Sequence, residues 1–158
     1  MIIFVWGLPG AGKSTVGRML AEKLNLGFYE MDDYLPDSFK EKMKSGKLIT
    51  DEDRDSFFST FTKKLKEIDT GKDFVVSGYV AKKRHRDQLK NIGDLRFFEL
   101  VADRALLTER LKKRKDHFFE EETLKKVLKN YEPLNDSVKI DAEKSIAYVV
   151  KQIIDSLN

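Results

Sequence analysis

The sequence predicts a three-layer α/β domain in which helices cover both faces of a five-stranded parallel sheet. Two observations predict this fold class. Short apolar segments alternate along the chain with longer segments whose apolar residues recur every three or four positions, which is typical of strands joined by helices. The first apolar segment also runs directly into a glycine-rich loop that opens a helix. In such folds the ligand binds at the carboxyl ends of the strands.

The strands are predicted where apolar residues follow one another without interruption, because a strand buried on both faces has no polar side. Residues 1–6 (Met-Ile-Ile-Phe-Val-Trp) are the clearest example, and this strand stops at Gly7. The four remaining predicted strands are shorter and cover residues 28–31, 74–77, 97–101 and 137–140.

The helices are predicted from apolar residues at helical spacing and from the residues that can begin or end a helix. In the last one, Ile146, Val150, Ile153 and Leu157 share one face, and Asp103 is placed to cap an earlier helix. The predicted helices cover residues 13–24, 36–45, 51–69, 82–91, 103–111, 123–131 and 143–157.

Composition excludes several classes of protein. With 41% hydrophobic and 36% charged residues, the chain is not a disordered one, and with no cysteine it has neither a disulfide framework nor a thiolate zinc site. The net charge of +3 is too small for an obligate nucleic-acid binder. No apolar run reaches the ~18 residues of a membrane span. We expect one domain over residues 1–158, located in the cytoplasm and not in a membrane.

The loop after the first strand carries the strongest functional signal. Residues 7–14 match the P-loop pattern G-x-x-x-x-G-K-[ST], between a strand and a helix as that motif requires. Backbone N–H groups of such a loop bind phosphate oxygens, Lys13 reaches the β and γ phosphates, and the Ser14 hydroxyl can ligate Mg²⁺. The sequence therefore predicts ATP and Mg²⁺ as cofactors, with nucleotide contacts from Gly7, Leu8, Pro9, Gly10, Ala11, Gly12, Lys13, Ser14 and Thr15.

Other motifs narrow the class of P-loop protein. A GTPase would carry a guanine-reading Asn-Lys-x-Asp, which is absent, and the third strand ends in Ser77-Gly78 without the usual Walker B aspartate. A small-molecule kinase needs instead a carboxylate beside the acceptor and a cationic lid that excludes water. The sequence offers candidates for both, and so the P-loop kinase form of the α/β fold is predicted.

Asp32 is the predicted catalytic base. It follows the second strand, where a carboxylate can accept the proton of an attacking hydroxyl. Asp33 is its neighbour, and because adjacent residues of an extended chain point to opposite sides, only one of the two should face the site. We favour Asp32; the alternative is a solvated or helix-capping carboxylate.

Arg110 and Arg114 are the predicted phosphate-binding cations on a helix that leads into a lid, which would cover residues 112–122. Four positions apart, they share a helical face, so both guanidinium groups can reach the phosphates as nucleotide-binding and catalytic residues. The alternative is a solvated basic face. His117 could touch the acceptor when the lid closes, although a lone histidine is more often structural.

These residues resemble the small gluconate kinases, within the wider group of shikimate and adenylate kinase-like phosphotransferases. The resemblance spans most of the chain and includes residues 42–46 (Lys-Met-Lys-Ser-Gly), 51–54 (Asp-Glu-Asp-Arg), 82–87 and 110–119. It implies ATP- and Mg²⁺-dependent transfer to a hydroxyl of a sugar acid such as gluconate, an acceptor site formed by helices within residues 36–69, and a homodimer. It also implies that Asp32 is the base and that Lys83 and Arg86 lie near the negative group of the acceptor.

The sequence departs from that family mainly where acceptor contacts are expected. Leu35 stands where a histidine is expected, Phe39 and Val127 replace polar residues, and residues 78–81 (Gly-Tyr-Val-Ala) replace Cys-Ser-Ala-Leu. Lost polar contacts should change specificity more than chemistry. Shikimate or a nucleoside monophosphate therefore stays open as the acceptor. An RNA-associated nucleotide-binding protein, with its basic helix at residues 82–86, stays open as a different class.

Overall fold

The computed structural model describes residues 1–68, 71–114 and 121–158, and its centre is a parallel sheet. The strand order is β2-β3-β1-β4-β5, so β1 pairs with β3 on one side and with β4 on the other. This confirms the predicted five-stranded parallel sheet. The strands are β1 (Ile2–Gly7), β2 (Gly27–Glu30), β3 (Phe74–Gly78), β4 (Leu95–Val101) and β5 (Val138–Asp141).

Helices connect the strands and cover both faces of the sheet. Side-chain caps begin several of them: Asp103 accepts a hydrogen bond from the Ala105 N–H at 2.7 Å, as predicted, and Ser145 accepts one from the Tyr148 N–H at 3.3 Å. The Ser145 cap starts the last helix three residues later than predicted. The helices are α1 (Lys13–Leu24), α2 (Asp37–Lys44), α3 (Asp51–Ile68), α4 (Lys83–Lys90), α5 (Arg104–Lys112), α6 (Glu121–Asn130) and α7 (Ile146–Leu157).

The sheet separates two apolar clusters, because alternate residues of each strand point to opposite faces. On the α1 face, Ile3 and Val5 pack with side chains from α1, α5, α6 and α7. On the other face, Phe4 and Trp6 pack with aromatic side chains of α3 and with Leu89 of α4. The carboxyl end of β1 therefore opens between two independently packed layers.

One local prediction is wrong. Strand β2 ends at Glu30, and residues Met31–Tyr34 form a short 3₁₀ helix. Asp32 and Asp33 thus lie in a helical turn, and their directions do not follow from the alternation of an extended chain. Within the described residues, no helix has the combination of length and apolar character needed to cross a membrane. The single-domain assignment stays a prediction.

Candidate active site

The loop between β1 and α1 forms a cradle whose backbone conformation requires glycine at two positions. Gly10 and Gly12 have φ angles of 86° and 91°, a left-handed conformation that side chains disfavour. A Cβ on Gly10 would also lie 2.8 Å from the carbonyl oxygen of Leu107, so the loop packs directly on α5. Gly12 stands immediately before α1 and gives no side-chain cap, which leaves the first N–H groups of that helix for an anion.

Lys13 folds back over this cradle. Its Nζ donates a hydrogen bond to the carbonyl oxygen of Leu8 at 3.1 Å. Burial lowers the pKa of the ammonium group from 10.5 to about 8, an effect that Asp32 opposes and that Arg114 reinforces. A bound phosphate chain would supply the negative charge that this site lacks.

A cavity of about 170 Å³ lies between the loop and helices α2 and α3. It brings together residues that are far apart in the sequence: Pro9, Lys13 and Ser14 of the loop, Asp32 after β2, and Arg114 after α5. The cavity therefore gathers the predicted phosphate-binding lysine, metal-ligating hydroxyl, carboxylate base and lid cation at the carboxyl end of the sheet.

Asp32, and not Asp33, contributes to this cavity. Its partial withdrawal from water raises the pKa of its carboxyl group above the ordinary 3.8, while the Lys13 ammonium opposes the shift and Glu30 adds to it. Glu30 itself accepts a hydrogen bond from Ser77 at 2.7 Å. Asp32 is thus a carboxylate with a raised pKa that shares the cavity with Lys13.

The two predicted lid arginines have different surroundings. Arg110 donates hydrogen bonds to the carbonyl oxygens of Gly10 at 3.4 Å and Ala142 at 2.9 Å, so it braces the phosphate loop from the α5 side. Arg114 lines the cavity. A direct contact of Arg110 with the nucleotide stays a prediction.

Lys83 and Arg86 do not line the cavity, so the prediction that both lie at the acceptor gains no support from it and stays a prediction. Arg86 is fully buried and donates to the carbonyl oxygens of Val80, Ala81 and Pro133 at 2.9, 3.1 and 3.2 Å. Lys83 is exposed and pairs with Asp87 one helical turn later. A buried cation needs partners, and three backbone carbonyls supply them here, so Arg86 has a structural role.

Arg54 is the cationic side chain that sequence reasoning did not single out. It lines the cavity from α3, and its Nη1 donates to Asp51 at 3.3 Å. A reciprocal capping box fixes the start of α3: the Asp53 N–H donates to the Thr50 hydroxyl at 3.1 Å and the Thr50 N–H to the Asp53 carboxylate at 3.0 Å. Lys42 of α2 also donates to Asp53, at 2.7 Å. Residues 51–54 carry the motif in the sequence, but a motif does not show that its arginine faces a cavity.

The predicted lid and His117 cannot be placed in this site. Residues 115–120 lie outside the described residues, so the lid is described only at its edges, where α5 ends at Lys112 and α6 begins at Glu121. The predicted acceptor contact of His117 stays a prediction.

The family model described as shikimate kinase matches residues 9–158. A probable gluconokinase of Dictyostelium discoideum is 33% identical over 99% of this chain and 86% of that protein. A gluconokinase of Gluconobacter oxydans is 30% identical over 96% of this chain and 88% of that protein. Among solved structures, a gluconokinase from Sinorhizobium meliloti superposes with a TM-score of 0.86 at 30% identity, covering 98% and 90% of the two chains. These relatives confirm the predicted resemblance.

Proposed function

Because the chain belongs to the shikimate kinase family, and is therefore a small-molecule kinase that uses ATP, we propose that it phosphorylates a hydroxyl group of a sugar acid, with gluconate as the first candidate. The gluconokinases named above support this acceptor class over shikimate. A shikimate kinase of Sulfurihydrogenibium is also similar, at 27% identity, so shikimate is the second candidate.

One observation carries the proposal: a single cavity holds a phosphate-binding lysine, a basic carboxylate and a guanidinium group. Lys13 marks where the terminal phosphate would lie, and Asp32 lies beside it. Arg54 lines the same cavity from α3 and offers a planar guanidinium for a carboxylate. An acceptor with an acid group at Arg54 and a hydroxyl at Asp32 would present that hydroxyl to the phosphate.

The reaction follows from these positions. Asp32 takes the proton of the acceptor hydroxyl while the hydroxyl oxygen forms a bond to the γ-phosphorus. The bond between that phosphorus and the bridging β–γ oxygen breaks at the same time, and ADP leaves. The raised pKa of Asp32 favours this proton transfer. Lys13 and Arg114 stabilise the negative charge on the transferring group by position alone, because both already line the cavity.

The residues present also fit Mg²⁺. The Ser14 hydroxyl lines the cavity as the predicted ligand, and among the described residues no group of three or more acidic or histidine side chains forms a metal cage. Mg²⁺ in phosphoryl-transfer sites takes few protein ligands and completes its shell with phosphate oxygens and water. When bound, it would neutralise charge on the β and γ phosphates. A homodimer and a cytoplasmic location stay predictions.

The test is acceptor-stimulated release of ADP, measured with a coupled assay. The purified protein would receive ATP, Mg²⁺ and one of gluconate, other sugar acids, shikimate or a nucleoside monophosphate. A Lys13→Ala protein prepared in parallel controls for contaminating kinases. We expect stimulation by a sugar acid. Stimulation by shikimate or a nucleoside monophosphate alone would contradict the proposed acceptor class.

A further inference from the structure

The residues at which the chain departs from the resembled family meet in one place. Leu35 precedes α2, Phe39 lies on α2, Tyr79 follows β3 and Val127 lies on α6, yet all four line the 170 Å³ cavity. These four side chains therefore form part of the lining of the acceptor cavity, and they are called its wall below.

This wall offers little hydrogen bonding. Leu35, Phe39 and Val127 have no polar side-chain atom, and the Phe39 ring packs on Phe57 with centroids 6.1 Å apart. The Tyr79 hydroxyl donates a hydrogen bond to the Val127 carbonyl oxygen at 3.4 Å. Within the described residues, the polar side chains of the cavity lie on the phosphate loop and at Glu30, Asp32, Arg54, Tyr79 and Arg114.

The apolar surface continues beyond the reaction centre. A second cavity of about 240 Å³ shares Phe39, Met43, Arg54, Tyr79 and Val127 with the first, so the two join around these side chains. Its further lining includes Leu48, Ile49 and the polar residues Lys47, Lys126 and Asn130, of which Ile49 is half-buried and the three polar residues are exposed. The two cavities together therefore offer more space than the reacting hydroxyl and its carbon require. Most of the side chains where the second cavity adjoins the first are apolar.

A fully hydroxylated acid fits this surface poorly. Each hydroxyl group that faced Phe39 or Val127 would lose its hydrogen bonds to water and gain none from the wall. A methylene or methyl group in the same position would instead gain from burial. Discrimination by one such group in an apolar pocket is typically about 10- to 200-fold.

We propose that the preferred acceptor is a deoxy acid. Its carboxylate pairs with Arg54, its reacting hydroxyl lies at Asp32, and its carbon chain carries hydrogen in place of hydroxyl where it faces Phe39 and Val127. This inference rests on the proposed function, since it names the subclass of acid that the same site phosphorylates. The transfer itself is unchanged: the acceptor oxygen gains the phosphoryl group, Asp32 takes the proton and ADP leaves.

The experiment compares gluconate with a series of its deoxy analogues, each lacking one or two hydroxyl groups, in the ADP-release assay. We expect kcat/KM for at least one analogue to exceed that for gluconate by about tenfold or more. We expect Val127→Gln, which adds a hydrogen-bonding group to the wall, to lower this ratio by about tenfold. Val138→Gln is the matched control, because Val138 is a partly exposed residue of the edge strand β5 and lines neither cavity.

A second variant, Phe39→Asn, tests the same wall from α2 if Val127→Gln does not fold, and thermal melting identifies which variants are folded. A preference for gluconate over every analogue would overturn the inference while leaving the proposed function intact. An unchanged ratio in folded wall variants would also overturn it. Failure of every carboxylic acid to stimulate ADP release would overturn the proposed function, and this inference with it.

Discussion

The phosphate-binding half of the site and its acceptor half are built by different means. The first is a continuous segment, residues 7–15, whose backbone conformation is set by two glycines and by contact with α5. The second takes Asp32, Arg54, Tyr79 and Val127 from four separate segments. Their neighbours in the core differ as well: Ala11 of the loop belongs to the cluster on the α1 face of the sheet, whereas Phe57 of the acceptor cavity belongs to the cluster on the α3 face.

This difference indicates how each half can change. The phosphate loop depends on backbone geometry that few substitutions preserve, because a Cβ on Gly7 or Gly10 would come within 2.8 Å of a carbonyl oxygen on a neighbouring element. The acceptor wall is formed by side chains of residues that lie outside the strands of the sheet. Substitutions in the two halves should therefore separate nucleotide chemistry from acceptor choice.

The largest effect is expected for Lys13→Ala. Removing the half-buried ammonium eliminates the cation proposed to lie at the transferring phosphoryl group, so turnover should fall below detection while acceptor binding is kept. The variant should be at least as stable as the parent at pH 7, because burial of a charged amine with a lowered pKa is unfavourable. ADP release, calorimetric acceptor titration and thermal melting measure these three properties. Normal turnover would remove Lys13 from the mechanism.

Asp32→Asn should separate chemistry from nucleotide binding. The amide keeps the size of the side chain but cannot accept the hydroxyl proton, so kcat should fall by about 10²- to 10⁴-fold. The dissociation constant of ATP, measured by calorimetry, should change little because the loop is intact. Asp33→Asn is the matched control, since Asp33 does not contribute to the cavity. Equal losses in the two variants would contradict the assignment of the base.

Arg54→Gln should act on the acceptor half alone. Loss of a charge-assisted hydrogen bond costs about 1.5–3 kcal/mol, which corresponds to roughly a 10- to 150-fold increase in KM for the acid. The KM for ATP should stay within about twofold. Arg18→Gln on the outer face of α1 serves as a control, because Arg18 lies over the Phe28 ring away from the cavity. An increase in the KM for ATP with no change in the KM for the acid would contradict the assignment of Arg54 to the acceptor half.

The sequence was sufficient for the phosphate half because a local motif encodes it. The pattern at residues 7–14 and the alternation of strands and helices predicted both the loop and the sheet. Arg110 shows the limit of such reasoning. It was expected to share a helical face with Arg114, but α5 ends at Lys112 and Arg114 lies beyond it. The bonds of Arg110 to Gly10 and Ala142 depend on how α5 packs against two other segments. Tertiary contacts of this kind leave no periodic signal.

The acceptor half was predicted less well for the same reason. Lys83 and Arg86 belong to one basic helix and look equivalent in the sequence, yet one is exposed and the other is fully buried. Arg86 packs over the Trp6 ring, with 5.5 Å between its Cζ and the ring centroid, and bonds to three backbone carbonyls. These tertiary contacts distinguish it from Lys83. The place of Arg54 in the cavity likewise depends on how α3 packs near the loop, which is a tertiary property that its sequence motif does not show.

Arg86→Met and Lys83→Met test this distinction through stability. Arg86→Met leaves three backbone carbonyls without their buried donor, so unfolding should become easier by about 2–4 kcal/mol, a fall in Tm of very roughly 5–15 °C. Lys83→Met changes an exposed residue and should alter stability by no more than about 0.5 kcal/mol. Thermal melting of both proteins measures the difference. Similar Tm values would show that the buried guanidinium is not a structural tie.

The smallest effect, and the sharpest comparison of the two halves, is in the pH dependence. Asp32 must be ionised to accept a proton and its pKa is raised, so kcat should fall on the acid side as pH drops through that raised value.

Lys13 must be protonated to bind phosphate and its pKa is lowered to about 8, so ATP affinity should fall as pH rises from about 7 to 9. Because bound phosphate favours the charged ammonium, ATP binding at pH 8 should take up about half a proton. Calorimetry in buffers of different ionisation enthalpy measures this proton uptake. Lys13→Met should abolish the uptake. The fall of kcat at low pH in the parent protein should instead follow the ionisation of Asp32. Proton uptake that persisted in Lys13→Met would assign the alkaline effect to another group and remove the electrostatic separation between the two halves.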